Sequence, residues 1–299
     1  MTIINTMLNT VRSGLILLLL LIADSTASAN EKIQLLSSIR PLDLLVSELT
    51  DHEINHSVLM NAQQSPHHLQ LKPSQRQRLQ DATSVYWFGD ELEPMIATIL
   101  SGDDSLSRRA INLRPTLQAM KNNHDEHHHH DHHTNVHYWL DRENVIKAAG
   151  IISANIATLL PEKADQINGK VKQLNKDLMQ LEKILEHELR SARAKRYLDL
   201  HNAWQLLAED FNLPAFSSIE HQSLEFSGAK TVLSLRRDIA SGKYDCVIAS
   251  PETNLRLVNN LAENSNTNIL LLDALGNDLE NESGFTDFLI HNIKKLAAC

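Results

Sequence analysis

The sequence predicts an α/β protein of two lobes, each a mostly parallel sheet flanked by helices and joined to the other by one long helix. Two observations carry this reading. Short apolar runs alternate with helical patterns in both halves of the chain, and between them residues 162–194 keep a single apolar stripe with no internal proline.

Taken in order, residues 33–39 (IQLLSSI) are a short apolar run ended by Pro41 and read as a first strand. Residues 41–49 carry apolar positions at helical spacing, and 52–60 read as a second strand with His52 and His56 on its solvated face or in its entry loop. In SPHHLQLKPS, residues 65–74, two prolines bracket His67 and His68, which marks a loop; Pro73 suits the first turn of a helix to about Gln80. Residues 84–89 (SVYWFG) are a third strand closed by Gly89. Loops after buried strands are where an open α/β sheet places its binding groups, so one of the paired histidines is a candidate.

Residues 142–159 form an amphipathic helix stopped before Pro161. In 162–194, Ile167, Val171, Leu174, Leu178, Leu181, Leu185 and Leu189 recur at spacings of four and three, a pattern that would span about 50 Å as one helix. A coiled-coil dimerisation helix is the alternative, and His187 reads as solvated. The second half then gives a strand at 196–201 ending in His201 and a helix at 204–211. A strand at 215–219, a helix at 229–241 and a strand at 245–250 follow. The chain closes with a helix at 252–262, a strand at 268–272 running into Asp273 and a helix at 284–296. The expected organisation is a leader at 1–29 and a first lobe at 30–141, including a loop at 122–135. Connecting helices follow at 142–194 and a second lobe at 195–299.

With 299 residues the chain can bury a sizeable core, and a formal charge of −9 argues against nucleic acid or an anionic membrane surface as partner. Only 4% of residues are aromatic, which disfavours a base- or sugar-stacking platform. The N-terminus reads as a secretory leader: Arg12, an apolar run at 15–22, and Ala27-Ser28-Ala29 as the cleavage site, so that the mature chain begins at Asn30 and is exported. The apolar run is far short of the ~20 residues of a spanning helix. The two cysteines, Cys246 and Cys299, are most simply a disulfide in an oxidising compartment, two free thiols being the alternative.

Residues 124–133 hold seven histidines: His124, His127, His128, His129, His130, His132 and His133, with Asp125, Glu126 and Asp131 among them. The tract has no apolar residue and no regular period, so it reads as a solvated loop with metal-binding chemistry. The bland reading is a spacer that binds metal incidentally. His137, by contrast, sits in an apolar context, HYWL. His67, His137, His201 and Asp273 are dispersed in sequence, yet their places in loops and at strand ends let all four meet in the cleft between lobes. Imidazoles with a carboxylate are a zinc-type donor set.

At these residues the chain resembles the zinc-binding solute receptors of ABC importers. The resemblance is carried by SPHHLQLKPS, LQDATSVYWFGDELE, the acidic-histidine tract, HYWL, LDLHNAW, DCVIASPE and LLDALG, and it covers essentially the whole mature chain. It implies that His67, His137 and His201 ligate Zn2+, with Asp273 or water completing the shell. It further implies a rigid connecting helix, a Cys246–Cys299 disulfide, and a soluble, monomeric periplasmic receptor. The implied partners are the membrane permease and ATPase of a zinc importer. The chain departs from the family at Pro66, where some zinc receptors carry a glutamate ligand, and at His68, commonly acidic. It departs again at Val136, usually proline, and at Asn202, usually aspartate. The fourth ligand is therefore open. Three imidazoles favour zinc over manganese. Two other readings compete: an exported zinc buffer or adhesin, and a zinc hydrolase drawing on Glu220 and His221.

Overall fold

The computed structural model of the chain describes residues 33–50, 54–62, 64–117, 135–219, 228–280 and 283–299. The leader, the histidine tract at 124–133, His52, and the Glu220–His221 pair lie outside these. The first half contains β1 (Gln34–Ser37), α1 (Arg40–Leu49), β2 (Asn55–Val58), α2 (Pro73–Asp81) and β3 (Ser84–Trp87). It continues through α3 (Pro94–Ser101), α4 (Asp104–Arg109) and β4 (Ala110–Asn112). Its strands form one parallel sheet in the order β2-β1-β3-β4. Residues 90–117, for which the pattern reading offers no element, thus supply two helices and a strand. Asp103 starts α4 by accepting the Ser105 and Leu106 N–H groups on Oδ1, each at 3.0 Å.

Two helices follow. The first, α5 (Arg142–Leu159), has the bounds the periodicity predicts, and Asp141 caps it by accepting the Asn144 N–H at 2.7 Å. The next stretch corrects the expectation of one unbroken 33-residue helix: α6 (Ala164–Ile184) ends at Leu185, where φ is −104° and ψ 24°, and α7 (Glu186–Arg193) begins anew. At 21 residues α6 is about 31 Å long rather than 50. The physical reason lies in the partners. One stripe, Ile167 through Leu189, is buried throughout apart from half-buried Val171. However, α6 packs along α5, whereas α7 packs on the C-terminal helix. The turn at Leu185 lets one stripe serve both. That stripe lies within the chain's own core, and His187 is exposed as expected.

The second half runs β5 (Tyr197–Asp199), α8 (Gln205–Asp210), β6 (Ser217–Ser218), α9 (Ala229–Ala240) and β7 (Cys246–Ala249). It ends with α10 (Leu255–Ala262), β8 (Asn268–Leu271) and α11 (Phe285–Ala297). Its parallel order, β6-β5-β7-β8, repeats that of the first sheet. Strand alternation sorts side chains between two cores. Cys246 and Ile248 of β7 join the large core that the halves share, while Val247 and Ala249 join a smaller one with Leu235, Ile239 and Val258. Cys246 is bonded to Cys299, tying the end of α11 to the central strand β7. Helix α1 also binds the halves together: Arg40 donates to the carbonyls of Gly276 (2.9 Å) and Glu280 (3.0 Å), and Glu48 accepts the Phe285 N–H (2.8 Å). Among the described residues, no helix is long and apolar enough to cross a membrane.

Candidate metal centre

His67 stands in the single turn Pro66–His68 between β2 and α2, with Pro66 and Leu69 buried on either side. The loop is held by Gln75, a buried side chain of α2. Its Nε2 donates to the Leu59 carbonyl (2.7 Å) and to Gln64 Oε1 (2.8 Å), and its Oε1 accepts the Lys72 N–H (3.0 Å). Only one of the two adjacent histidines is turned inward. His68 is exposed, its ring 6.4 Å from that of His67.

His137 is 5% exposed and is fixed by Asn135, whose Oδ1 accepts both the His137 N–H and Nδ1–H at 2.9 Å. Asn135 Nδ2 donates to the Asn202 carbonyl at 3.2 Å, which settles which end of the amide faces the histidine. An amide oxygen only accepts, so Nδ1 carries the proton and Nε2 offers its lone pair. Trp139 next to it stacks on Phe88 (5.4 Å between ring centres) and donates from Nε1 to the Ala274 carbonyl (2.7 Å).

His201 lies two residues beyond the end of β5, in a turn built by buried Asp199. Asp199 Oδ1 accepts the His201 N–H and Oδ2 the Trp204 N–H, both at 3.0 Å. Between them Asn202 has φ +55°, a left-handed conformation that asparagine tolerates well.

The three rings converge, with centres 5.4 Å (His67–His137), 5.6 Å (His67–His201) and 5.3 Å (His137–His201) apart. One ligand atom from each lies within 4.8 Å of the others. Among the described residues, His67 Nε2 is buried without a hydrogen-bond partner, an orphan of the kind that marks a ligand position. The pocket they share with Pro66, Trp139, Glu252, Asp273, Ala274 and Leu275 leaves only about 10 Å3 open to the centre of a water, room for about one such sphere. Burial, helped by the neighbouring His201 and His68, pulls the His67 pKa down to about 4. Burial and the other two histidines lower that of His137 as well. Both are therefore neutral near pH 7, the form in which imidazole ligates a metal.

Asp273 lines the same pocket but stands outside the three-imidazole cluster. Its Oδ1 accepts the Leu275 N–H (2.8 Å) and its Oδ2 the Asn277 N–H (2.6 Å). Burial raises its pKa despite those donors. Glu252, which the sequence reading takes as the first residue of a helix, lies instead in a turn before α10, with Oε1 3.9 Å from His201 Nε2. Asn135, Gln75 and Asp199, the residues that aim the histidines, also escaped the sequence reading. A polar side chain near a candidate ligand is too common to single out. His56 takes no part, its Nδ1 pairing with Asp43 at 3.0 Å.

The chain matches the model of a protein family described as the zinc-uptake complex component A, periplasmic, over residues 36–299. It is 25% identical over 285 residues to the high-affinity zinc uptake system protein ZnuA of Yersinia pestis, covering 88% of this chain and 90% of that one. With the protein of the same name from Haemophilus ducreyi the identity is 26% over 264 residues, covering 81% and 84%. Among solved structures, a crystal structure of ZnuA superposes with a TM-score of 0.74 at 19% identity, over 89% of this chain and 98% of the other. The periplasmic zinc-binding protein TroA of Treponema pallidum gives 0.73 at 17%, with the same coverages. These structural likenesses establish a shared fold.

Proposed function

The chain belongs to the periplasmic zinc-uptake component A family, and on that premise we propose that it is a periplasmic receptor that captures Zn2+ and delivers it to an ABC-type importer. The observation that carries the reading is the convergence of His67, His137 and His201, two of them neutral through burial and one with an orphaned Nε2. Three imidazoles suit zinc, and the fourth position falls to a carboxylate at the strand ends of the second sheet or to water.

In this reading the mature protein starts near Asn30, its lobes are 30–141 and 195–299, and residues 142–194 connect them. The partners are the importer's permease and ATPase, and the receptor acts as a monomer. The histidine tract gathers zinc weakly beside the site, because ordering a flexible chelator costs entropy that a preformed site does not. A hydrolase would need an open coordination position and a general base. Zinc-dependent turnover of a peptide or ester would overturn the receptor assignment.

The test is zinc titration against a competing chelator on the mature protein, on a deletion of 124–133 and on His201→Ala. The deletion keeps one tight site, and His201→Ala weakens it by more than about a hundredfold, since even groups behind the ligands are worth ~10–100-fold. If the deletion removes tight binding and His201→Ala does not, the protein is a histidine-tract zinc buffer.

A further inference from the structure

The arrangement of the second sheet points to a specific fourth ligand. Strands β5 and β7 are neighbours at its centre, and the chain winds away from them in opposite directions, toward β6 on one side and β8 on the other. The crevice beyond the C-terminal ends of such a strand pair is where open α/β sheets bind ligands. His201 follows β5 and Glu252 follows β7, so the two side chains flank that crevice.

The turn that carries Glu252 is well built. Thr253 N–H donates to the Ser250 carbonyl (2.9 Å), and Thr253 Oγ1 meets the Ser250 N–H (3.2 Å) and Oγ (3.0 Å). Asn254 then caps α10, accepting from Arg256 and Leu257 N–H. From this base Glu252 Oε1 reaches to 3.9 Å from His201 Nε2. Ligand atoms on one tetrahedral zinc stand roughly 3.4 Å apart. Like Asp273, Glu252 stands outside the cluster in which one ligand atom of each histidine lies within 4.8 Å of the others; its side chain, 42% exposed, must swing inward to join them.

Asp273 is placed differently. Both of its oxygens already accept backbone N–H groups, and they hold the turn that runs from Asp273 to Asn277. Its orientation is set by that turn, whereas Glu252 is tied to none of the turn bonds of its own segment. Pro66, beside His67, offers no side-chain donor.

We infer that Glu252, rather than Asp273, supplies the carboxylate that completes the zinc shell of His67, His137 and His201. This rests on the receptor reading and names a ligand within it. Three ligands are then held by the fold, while the fourth stands at the rim.

The experiment compares the wild type with Glu252→Gln, Asp273→Asn and His201→Ala. Zinc affinity is measured by chelator competition, and the visible absorption spectrum is recorded with Co2+ in place of zinc. Because Glu252 is exposed, Glu252→Gln folds as the wild type does. It weakens zinc by at least about tenfold and shifts the Co2+ bands, with the three histidines still binding. If Glu252→Gln leaves both affinity and spectrum at wild-type values, or if Asp273→Asn alone shifts the bands, the inference is overturned. Should His201→Ala bind zinc as tightly as the wild type, the three-histidine site itself falls, and Glu252 loses its role with it. Failure of the receptor reading and failure of the fourth-ligand assignment are thus distinguished by different variants.

Discussion

In the first sheet, β2-β1-β3-β4, the two candidate ligand histidines arrive on irregular segments, at His67 in a loop after β2 and at His137 far beyond β4. In the second, β6-β5-β7-β8, His201, Glu252 and Asp273 each stand within three residues of the end of a strand. One strand order therefore serves two methods of placing a ligand. Where a ligand sits on irregular chain, side-chain cross-links aim it, as Gln75 does for the His67 loop and Asn135 for His137. Where it follows a strand, the sheet itself aims it, and a short turn such as that of Asp199 is enough. Among the described residues, the second half also carries what the first lacks, a disulfide and a core of its own.

The largest test of this contrast is the disulfide. Replacing both Cys246 and Cys299 by serine should lower stability by about 2–4 kcal/mol, read by denaturant unfolding of the zinc-free protein. An unchanged midpoint would mean that the second sheet does not depend on its staple. Next comes Asn135→Ala, which frees the His137 ring to turn. Zinc affinity should fall about tenfold with little loss of fold, as expected for a group behind a ligand. If affinity holds, burial alone aims the ring and the cross-link idea fails for the first half.

The smallest effect concerns Glu93, buried at the start of α3, where its Oε2 accepts the Phe88 N–H at 2.6 Å. Burial outweighs its hydrogen bonds and pushes the carboxyl up to about 7. The folded state therefore holds this proton more tightly than the unfolded chain. Its contribution is fully present below pH ~4.5 and is lost as pH rises through about 7. Denaturant midpoints of wild type and Glu93→Gln at pH 5 and pH 8 should show the variant gaining relative stability at the higher pH. A constant difference would show that Glu93 does not titrate in that window.

Much of this architecture could be read from the chain. Helix α5 falls at 142–159 as its periodicity dictates, and the apolar runs around Leu35, Val85 and Val247 mark the central strands. A lone loop histidine is usually a bystander; His67, His137 and His201 stood out through the histidine-rich tract nearby, their places in loops and at a strand end, and the resemblance to zinc receptors. Periodicity reports which face of a helix is buried but not what buries it, so it joined α6 to α7 across Leu185, where the partner changes. Glu252 was hidden for a related reason. A glutamate two residues before an asparagine cap reads as the beginning of a helix, and only the folded turn brings it beside His201. The histidine tract, the most conspicuous stretch of the sequence, lies outside the described residues.

Strand β7 feeds two cores with alternate side chains, and Cys246 is on one of those two faces. A slip of one residue would exchange the faces and carry the Cys246 thiol away from Cys299. Disulfide bonds close only over a narrow range of separations. Closure of the disulfide would thereby report on strand alignment. A chain that paired β7 out of step would be left a dithiol, chemically distinct from its correctly folded sibling.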